Sequence, residues 1–260
     1  MGQTTDANRI EGIMLSDGTE VPLACAAALA RADVVIHALV VGPNVPQKAA
    51  EAIAGQFQAP PPIVVTTRPD QDPMILGLLD EGRIEMLLSC LFEYRIRPRL
   101  LQGASKGGVN IHTSVLPHNR GFHTSFWGIV DGTPLGATIH WMSEELDAGD
   151  IIAQASFQDD GLMSAGEVRQ RQLALCVELF EAHLPAILAG EAPRTPQPPG
   201  GVFHHKRDIG PATTFDQTDT ITMEALLRLA RATHFGPHGF YVRVGSRTFK
   251  VQASVSEVTS

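Results

Sequence analysis

The chain has 260 residues, of which 43% are hydrophobic, a formal net charge of −8 and a sequence pI near 5.6. This length is enough for one large domain with a full core and a small appendage. Because phosphate binding relies on a basic face, the acidic balance argues against a nucleic-acid partner, tRNA included. The protein has three cysteines, Cys25, Cys90 and Cys176. Without C-x-x-C spacing they indicate buried free thiols in a reducing compartment.

The N-terminal residues and the hydropathy pattern predict where the protein acts. Residues 1–6 lack the apolar core of a secretory signal, and Asp6 stands where myristoylation needs Ser or Thr. No apolar run approaches the roughly 20 residues that a membrane-spanning helix needs. We therefore expect a cytoplasmic protein with no membrane partner.

The first ninety residues alternate between short apolar runs and helical patterns. A short apolar segment over 9–15 comes first, and the β-branched runs that follow are typical of strands buried on both faces of a parallel sheet. The predicted strands are 34–41, 63–65 and 84–89, and the predicted helices are about 21–32, 46–57 and 72–80. This rhythm predicts an open, doubly wound α/β sheet.

The first turn tests whether this sheet binds a dinucleotide. A dinucleotide-binding turn needs a G-x-G-x-x-G motif between strand and helix. Residues 16–20 read Ser-Asp-Gly-Thr-Glu and supply a single glycine. NAD binding is therefore not expected.

The second half of the chain predicts a hairpin-like pair of strands, a long helix and a small tail. The strands are 136–142 and 150–154, and Ser164 with Glu167 forms a capping box for a helix that ends near Leu188. A Pro/Gly-rich linker follows, then a helix over about 223–232 and a β-hairpin over 240–252. We predict a catalytic domain over 1–193 and a linker with a small C-terminal subdomain over 194–260. About 60 residues are too few for an independent core, so the tail is expected to pack on the main domain or on a partner subunit, as in a homodimer.

One strand and one turn carry the candidate chemistry. Residues two apart in a strand point to the same face, so Asn110 and His112 are expected to look into one cavity. Asp147 lies in a Leu-Asp-Ala-Gly turn from which a carboxylate can orient an imidazole. An amide, an imidazole and a carboxylate that meet at a carbonyl group indicate acyl transfer.

The same residues form a signature. The chain reads Asn110-Ile-His112-x-Ser114-x-Leu116-Pro117, then Arg120-Gly121, then Leu146-Asp147-x-Gly149-Asp150. This order resembles the folate-dependent formyltransferase family, most closely over 108–154 and collinearly over the preceding α/β units. The resemblance implies the formyltransferase fold, a Rossmann-like, open, mixed and mostly parallel α/β sheet with a small C-terminal α+β appendage. It also implies transfer of a formyl group from 10-formyltetrahydrofolate to an amine, with Asn110, His112 and Asp147 as the catalytic residues.

The resemblance further implies a folate-binding wall. The loop after the 84–89 strand and the Ser-x-Leu-Pro segment match that wall, and Leu116-Pro117 matches a cis peptide. The predicted cofactor-binding residues are Leu91, Phe92, Tyr94, Ile96, Ser114, Leu116, Pro117, His140, Leu146 and Asp150.

The arm over 118–127 is similar to the N-R-G-x-x-x-x-F-W arm of sugar N-formyltransferases. It departs from that pattern at His118, where a Tyr is usual, and at Thr124-Ser125, where Pro-Asn is usual. The predicted acceptor-binding residues are Asn119, Arg120, Gly121, His123, Trp127 and Lys206. The expected acceptor is a small-molecule amine, either an amino sugar linked to a nucleotide or one in a natural product.

Several alternatives remain open from the sequence. A cationic antibiotic-type or amino-acid-bearing acceptor would suit the acidic chain, and it could receive a formimidoyl group from 5-formimidoyltetrahydrofolate. The protein could instead hydrolyse 10-formyltetrahydrofolate, or bind folate without catalysis. A metal site built from His112, His118, His123 and His140 lacks any known ligand spacing. A Ser114/His112/Asp147 hydrolase triad lacks the G-x-S-x-G elbow.

Overall fold

A computed structural model describes residues 9–32, 34–234 and 239–258. The contacts between residues group the chain into two compact units, each assembled from three segments. Unit 1 comprises Met1–His112, Ile139–Ala153 and Cys176–Pro196, and unit 2 comprises Thr113–Thr138, Gln154–Leu175 and Gln197–Ser260. The contacts thus group residues 113–138 and 154–175 with the C-terminal residues, and a domain boundary at residue 193 remains a prediction.

Strands and helices alternate through most of the chain. The strands are β1 (Ile10–Ser16), β2 (Val34–Val41), β3 (Ile63–Val65), β4 (Met86–Cys90), β5 (Gly108–His112), β6 (Arg120–Gly121), β7 (Leu135–Trp141), β8 (Ile151–Phe157), β9 (Phe203–His204), β10 (Thr214–Asp216), β11 (Phe240–Val244) and β12 (Arg247–Val251). The helices are α1 (Glu20–Arg31), α2 (Gln47–Ala54), α3 (Pro73–Asp80), α4 (Pro98–Gly103), α5 (Thr124–Asp131), α6 (Ala165–Ala189), α7 (Ile209–Ala212) and α8 (Met223–Thr233).

The main sheet has seven strands in the order β3-β2-β1-β4-β5-β7-β8. Each neighbouring pair from β3 to β5 is parallel. The predicted open, mostly parallel α/β sheet is therefore confirmed. The strands in unit 1 bury apolar side chains on both faces, which is why they read as continuous hydrophobic runs. Ile13 and Leu87 are buried on one face, and Met14 and Leu88 on the other.

The predicted elements agree with the structure to within a few residues, with one omission in unit 1. We predicted residues 91–98 as a loop and the strand with Asn110 and His112 as the next regular element, but α4 begins at Pro98. Proline favours the first helical position because its missing N–H would have had no partner there. A six-residue helix with one buried side chain, Leu100, leaves too short a periodic pattern to be recognised.

Helix α6 contributes residues to both units and begins at the predicted capping box. Ser164 N donates to the Glu167 carboxylate at 2.8 Å, and Glu167 N donates to Ser164 Oγ at 3.4 Å. By length and composition alone this helix could cross a membrane, and a third of its most apolar window is buried inside the protein. We expected no membrane-spanning stretch from the sequence. One helix in the described part of the chain nevertheless passes the length and composition test, which core helices of water-soluble proteins also pass.

Unit 2 has a core of its own. Leu229 and Ala232 of α8 and Phe240 of β11 pack in one apolar cluster with Phe126 of α5 and Val168 of α6. Strands β10, β11 and β12 form a small sheet whose antiparallel β11-β12 pair is the predicted hairpin. The C-terminal residues therefore share a core with residues of the preceding chain, in line with the argument that they are too few to build one alone.

All three cysteines are buried, as predicted. Cys25 and Cys90 are free thiols. A hydrogen bond with Cys90, together with burial, raises the pKa of the Cys25 thiol well above its ordinary value. Both effects favour the protonated form, so Cys25 is an inert core thiol rather than a nucleophile.

Candidate active site

Three polar side chains meet in unit 1 beside the end of β5. Asn110 Nδ2 donates to Asp147 Oδ1 at 3.4 Å, and His112 Nδ1 lies 3.8 Å from Asp147 Oδ2. His112 and Asp147 are 7% and 8% exposed. The prediction that Asn110 and His112 share one face of a strand is therefore confirmed, and the structure adds that Asp147 is the group both side chains reach.

The charge on Asp147 acts on His112 across a short gap. A separation of 3.8 Å between Nδ1 and Oδ2 is within ion-pair range but longer than a hydrogen bond. Both groups are buried, so the carboxylate attracts a positively charged group beside it more strongly than it would in water. The pair is therefore suited to a reaction in which charge develops next to it.

A fourth side chain, His140, joins these three. His140 Nδ1 donates to the Trp141 carbonyl oxygen at 2.8 Å, and His140 Nε2 accepts from Asn110 Nδ2 at 3.0 Å. The same Nε2 lies 3.7 Å from Asp147 Oδ1. The imidazole rings of His112 and His140 stand edge to face with their centroids 6.5 Å apart. The sequence placed His140 only among the cofactor contacts, since nothing in its spacing shows that β7 lies next to β5.

The turn after β7 brings Asp147 to this position. Asp147 has a φ of +53°, in the left-handed region. A Cβ on Gly149 would lie 1.8 Å from the Trp141 carbonyl oxygen, so only glycine fits there. Trp141 N donates to Asp150 O at 2.8 Å, and Met142 N donates to Gly108 O at 2.7 Å. One hydrogen bond therefore joins the two ends of the turn, and the other joins the turn to β5.

The predicted folate-binding loop follows β4 at the carboxyl end of the strand. Leu91 has a φ of +61°, and Phe92 and Tyr94 pack edge to face with their ring centroids 5.4 Å apart. Leu91, Phe92 and Tyr94 are partly exposed, whereas Ile96 is 8% exposed and packs in the core of unit 1. Three of the four predicted residues thus offer surface to a ligand, and the carboxyl ends of strands are where α/β sheets bind their ligands.

Two contacts fix this loop. Arg95 Nη2 donates to the Glu144 carbonyl oxygen at 3.0 Å, which ties the loop to the turn that carries Asp147. The Tyr94 ring packs against Gly42, where a Cβ would lie 2.4 Å from Tyr94 Cε2. Leu146 and Asp150, also predicted to contact the cofactor, are half-buried in the same turn.

The Ser-x-Leu-Pro segment lies in unit 2, where side-chain hydrogen bonds hold it in place. The Leu116-Pro117 peptide is cis, as the resemblance implies. Leu116 N donates to Thr138 Oγ1 at 3.1 Å, and Gln154 Nε2 donates to the Leu116 carbonyl oxygen at 2.7 Å. The segment is therefore fixed by side chains of β7 and β8 rather than by its own sequence.

Ser114 forms part of this segment's turn. Its Oγ donates to the His118 carbonyl oxygen at 2.7 Å. A catalytic serine donates its proton to the imidazole that activates it. The geometry is that of a turn-forming serine and gives no support to a hydrolase triad.

The predicted acceptor arm is held to β9 by short parallel pairing in unit 2. Arg120 pairs with Phe203 and Gly121 with His204, and Arg120 Nη2 donates to Gln197 Oε1 at 2.7 Å. Gly121 has a φ of +90°, and a Cβ there would lie 2.3 Å from the His204 carbonyl oxygen. The Arg-Gly pair therefore sets the position of the arm, and sequence patterns this short could not predict the β6-β9 pairing.

The Trp127 ring is buried against neighbouring side chains rather than exposed. Its ring stacks on the His204 imidazole with centroids 3.9 Å apart, and His204 Nε2 lies 3.1 Å from Asp131 Oδ2. Trp127 is 8% exposed, so most of its surface is committed to this packing. Lys206 is exposed, with Nζ 5.9 Å from the centroid of the Phe122 ring.

The other two predicted acceptor residues, Asn119 and His123, also lie in this arm. Asn119 is 1% exposed, and its Nδ2 donates to Thr133 Oγ1 at 2.6 Å. His123 precedes α5 with a φ of +58° and is exposed. Within the described part of the chain, no three His, Cys, Asp or Glu side chains form a group that could hold a metal ion.

A family model described as "Formyl transferase" matches residues 25–180. Among curated relatives, the methionyl-tRNA formyltransferase of Latilactobacillus sakei is 29% identical over 177 residues, covering 68% of this chain and 55% of the relative. The dTDP-4-amino-4,6-dideoxyglucose formyltransferase of Mycobacterium bovis is 31% identical over 153 residues, covering 58% of this chain and 64% of the relative. The chain thus spans between about half and two thirds of the length of these relatives.

Solved structures share the fold over nearly the whole chain. A sugar N-formyltransferase from a Shewanella species superposes with a TM-score of 0.80 at 18% identity, covering 96% of this chain and 99% of its own. An N-formyltransferase from Helicobacter canadensis, solved with folinic acid and dTDP-3-aminofucose, gives a TM-score of 0.68 at 17% identity, covering 91% of this chain and 84% of its own. Because the family model matches more than half of this chain, the chain belongs to the formyl transferase family.

Proposed function

We propose that the protein transfers a formyl group from 10-formyltetrahydrofolate to the primary amine of an amino sugar. The observation that carries the proposal is the meeting of Asn110, His112 and Asp147, which places two donors for a developing negative charge beside one proton acceptor. Membership of the formyl transferase family supports the reaction. The Helicobacter canadensis structure with folinic acid and an amino sugar nucleotide supports the choice of donor and acceptor.

The residues present fit a folate donor. Leu91, Phe92 and Tyr94 offer an apolar and aromatic surface beside the strand that carries the catalytic residues, which suits a flat heterocyclic ring. The donor supplies the formyl carbon as an electrophile. Arg95 holds this surface against the catalytic turn, so the wall and the turn act as one binding element.

Two of the catalytic side chains stabilise developing charge, and the third takes up a proton. As the amine nitrogen bonds to the formyl carbon, the formyl oxygen gains negative charge, which the Asn110 amide and a ring N–H of His112 stabilise by donating to it. One such donor is worth about 3–4 kcal/mol. Asp147 faces the His112 ring across 3.8 Å and takes the proton that the amine loses, directly or through water. The oxyanion then collapses and the bond between the formyl carbon and the donor nitrogen breaks, while that nitrogen takes up the proton from Asp147; the products are a formamide on the acceptor and tetrahydrofolate.

The acceptor proposal rests on the arm in unit 2. The Arg120 guanidinium, held by Gln197, and the exposed Lys206 ammonium supply positive charge in an otherwise acidic protein. Cationic side chains of this kind suit the diphosphate of a nucleotide-linked sugar. The Mycobacterium bovis relative acts on such a sugar by name, which supports the same class of acceptor here.

The decisive experiment incubates the purified protein with 10-formyltetrahydrofolate and one amine at a time. The panel contains a dTDP-linked amino sugar, an aminoglycoside and methionyl-tRNA, and mass spectrometry identifies the product. We expect a formamide on the nucleotide-linked sugar. Loss of the formyl group without any amine would instead identify a hydrolase, and an intact donor with every amine would contradict the proposal.

The same panel run with 5-formimidoyltetrahydrofolate separates the two one-carbon groups. We expect no formimidoyl product, because the proposed donor is the formyl compound. A formimidoyl product formed faster than the formamide would overturn the choice of donor while leaving the amine-transfer site intact.

A further inference from the structure

We propose that His140 is a positioning residue that holds the Asn110 amide in its donating orientation, an inference that rests on the proposed function. His140 is 2% exposed, and its Nε2 lies 3.0 Å from Asn110 Nδ2. The two residues stand on neighbouring strands, β7 and β5. The sequence suggested a contact with the cofactor for His140, and the geometry points to a different role.

The tautomer of His140 follows from its two partners. A carbonyl oxygen can only accept a hydrogen bond, so the contact with Trp141 O at 2.8 Å requires a proton on Nδ1. In the neutral ring Nε2 then has no proton and can only accept. The backbone of β7 therefore sets which end of the imidazole faces Asn110.

The tautomer in turn sets the orientation of the amide. The oxygen and nitrogen of an Asn side chain have nearly the same shape, so only their partners decide which atom points where. An accepting Nε2 requires the Asn110 nitrogen to face it, and the second N–H lies toward Asp147 Oδ1 at 3.4 Å. An amide turned the other way would present its oxygen to a formyl oxygen that gains negative charge, and the two would repel.

The two amide hydrogen bonds have different lengths, which indicates how the site changes during the reaction. The contact to His140 is the shorter, at 3.0 Å against 3.4 Å for the contact to Asp147. The Asp147 carboxylate loses acceptor strength when it takes the proton of the amine. His140 then keeps one N–H fixed while the other turns to the substrate oxygen.

This role differs from direct contact with the donor or the acceptor. Both ring nitrogens of His140 are engaged with protein atoms, and almost none of its surface is exposed. The ring can therefore act on the reaction only through Asn110 and Asp147. Its loss should change the rate of the chemical step and leave substrate binding unchanged.

The kinetic test compares His140→Leu with His140→Gln. Leucine removes the acceptor, whereas glutamine keeps a carbonyl oxygen that can accept from Asn110. We expect His140→Leu to lower kcat by about tenfold to a hundredfold, less than the full effect of losing an oxyanion donor, with KM for both substrates unchanged. His140→Gln should recover most of that loss. A raised KM for the folate donor with kcat unchanged would overturn the proposal in favour of a cofactor contact.

A matched control tests whether loss of any hydrogen-bonded histidine from the sheet has the same effect. His37 on β2 also has both ring nitrogens engaged, Nε2 with Glu11 at 2.7 Å and Nδ1 with Arg83 at 2.9 Å. We expect His37→Leu to leave kcat unchanged even if its melting temperature falls. An equal loss of kcat in both leucine variants would show that the effect is structural.

A double-mutant cycle shows whether His140 acts through Asn110. We expect Asn110→Ala with His140→Leu to be no slower than Asn110→Ala alone, because there is no amide left to orient. Losses of kcat that multiply in the double variant would mean that His140 acts independently, and the proposal would fail.

The last measurement needs no turnover, so it separates this inference from the proposed function. Nitrogen-15 NMR of the folded wild-type protein reports the tautomer of His140, and we expect Nδ1–H. The side-chain amide signals of Asn110, assigned by their loss in Asn110→Ala, should show slow exchange with solvent in the wild type and in His140→Gln. An Nε2–H tautomer, or fast exchange in the wild type, would overturn the inference even if formyl transfer is confirmed.

Discussion

The His112 imidazole and the Asp147 carboxylate face each other across 3.8 Å, with side chains only 9% and 7% exposed. Burial makes their mutual attraction stronger than it would be in water, and it also makes loss of either charge costly. The electrostatic environment of the imidazole therefore depends on the presence of the carboxylate.

Replacing Asp147 by Asn removes the negative charge of the side chain and keeps its shape, so it tests the charge alone. Asp147→Asn keeps the size of the side chain but can neither take a proton nor carry the negative charge that faces His112. We expect kcat to fall by at least about a hundredfold, the lower end for loss of general acid–base catalysis. Steady-state turnover of 10-formyltetrahydrofolate measures this, and circular dichroism shows whether the fold is kept.

The control for this variant lies on the same turn. Glu145→Gln removes an exposed carboxylate two residues away and should leave turnover unchanged. Turnover of Asp147→Asn close to that of the wild type, in a folded protein, would refute the assigned role of the carboxylate.

Gly149 should tolerate no side chain. A Cβ there would lie 1.8 Å from the Trp141 carbonyl oxygen, so the turn that carries Asp147 must shift to admit it. We expect Gly149→Ala to destabilise the protein by about 1–3 kcal/mol, the usual cost of overpacking. We also expect it to lower kcat, because the carboxylate moves with the turn. Denaturant titration and turnover measure the two effects.

Gly77 provides the matched comparison. It lies inside α3, and nothing is within 4 Å of a Cβ placed on it. Gly77→Ala should stabilise the helix by about 1 kcal/mol, because alanine is the better helix former. Equal stability changes in the two variants would contradict the steric argument for Gly149.

Arg120 should govern the affinity for the acceptor. Arg120→Met removes a cation from the arm while keeping much of the side-chain bulk. We expect KM for a nucleotide-linked amino sugar to rise about tenfold or more, with KM for the folate donor unchanged, since charge-assisted hydrogen bonds contribute about 1.5–3 kcal/mol. Initial rates at several acceptor concentrations measure this. Arg247→Met, an exposed cation of β12, serves as the control, and equal effects of the two would argue against a specific site.

The stability of unit 1 should depend on pH through Asp70. The Arg68 guanidinium donates to both carboxylate oxygens, at 3.0 Å and 2.9 Å, and holds the pKa of Asp70 below its ordinary value. The stabilising contribution is therefore complete above the unfolded pKa of about 3.9 and is lost as the pH falls through the lower folded pKa. Thermal melts of the wild type and Asp70→Asn should differ most at neutral pH and converge in acid. A difference that does not depend on pH would contradict this role.

Local pattern determined much of the fold. Strands β2 and β3 and helices α3 and α6 follow from buried apolar runs and from helical periodicity, both of which are properties of a few consecutive residues. The same holds for the capping box at Ser164 and for the hairpin near the end of the described chain. The short elements β6, β9, β10, α4 and α7 were missed, because two to six residues carry too little periodicity, and β6 and β9 form only by pairing with each other.

The sequence by itself also indicated the chemistry that we propose for Asn110, His112 and Asp147. Strand alternation places the first two on one face, and the ordered motifs add the third. Only the tertiary structure decided that β7 lies beside β5, which brings His140 to the Asn110 amide. It also decided that the C-terminal helix shares a core with α5 and α6. Such contacts join residues far apart in the chain, and only the packing of buried side chains selects among the possible partners.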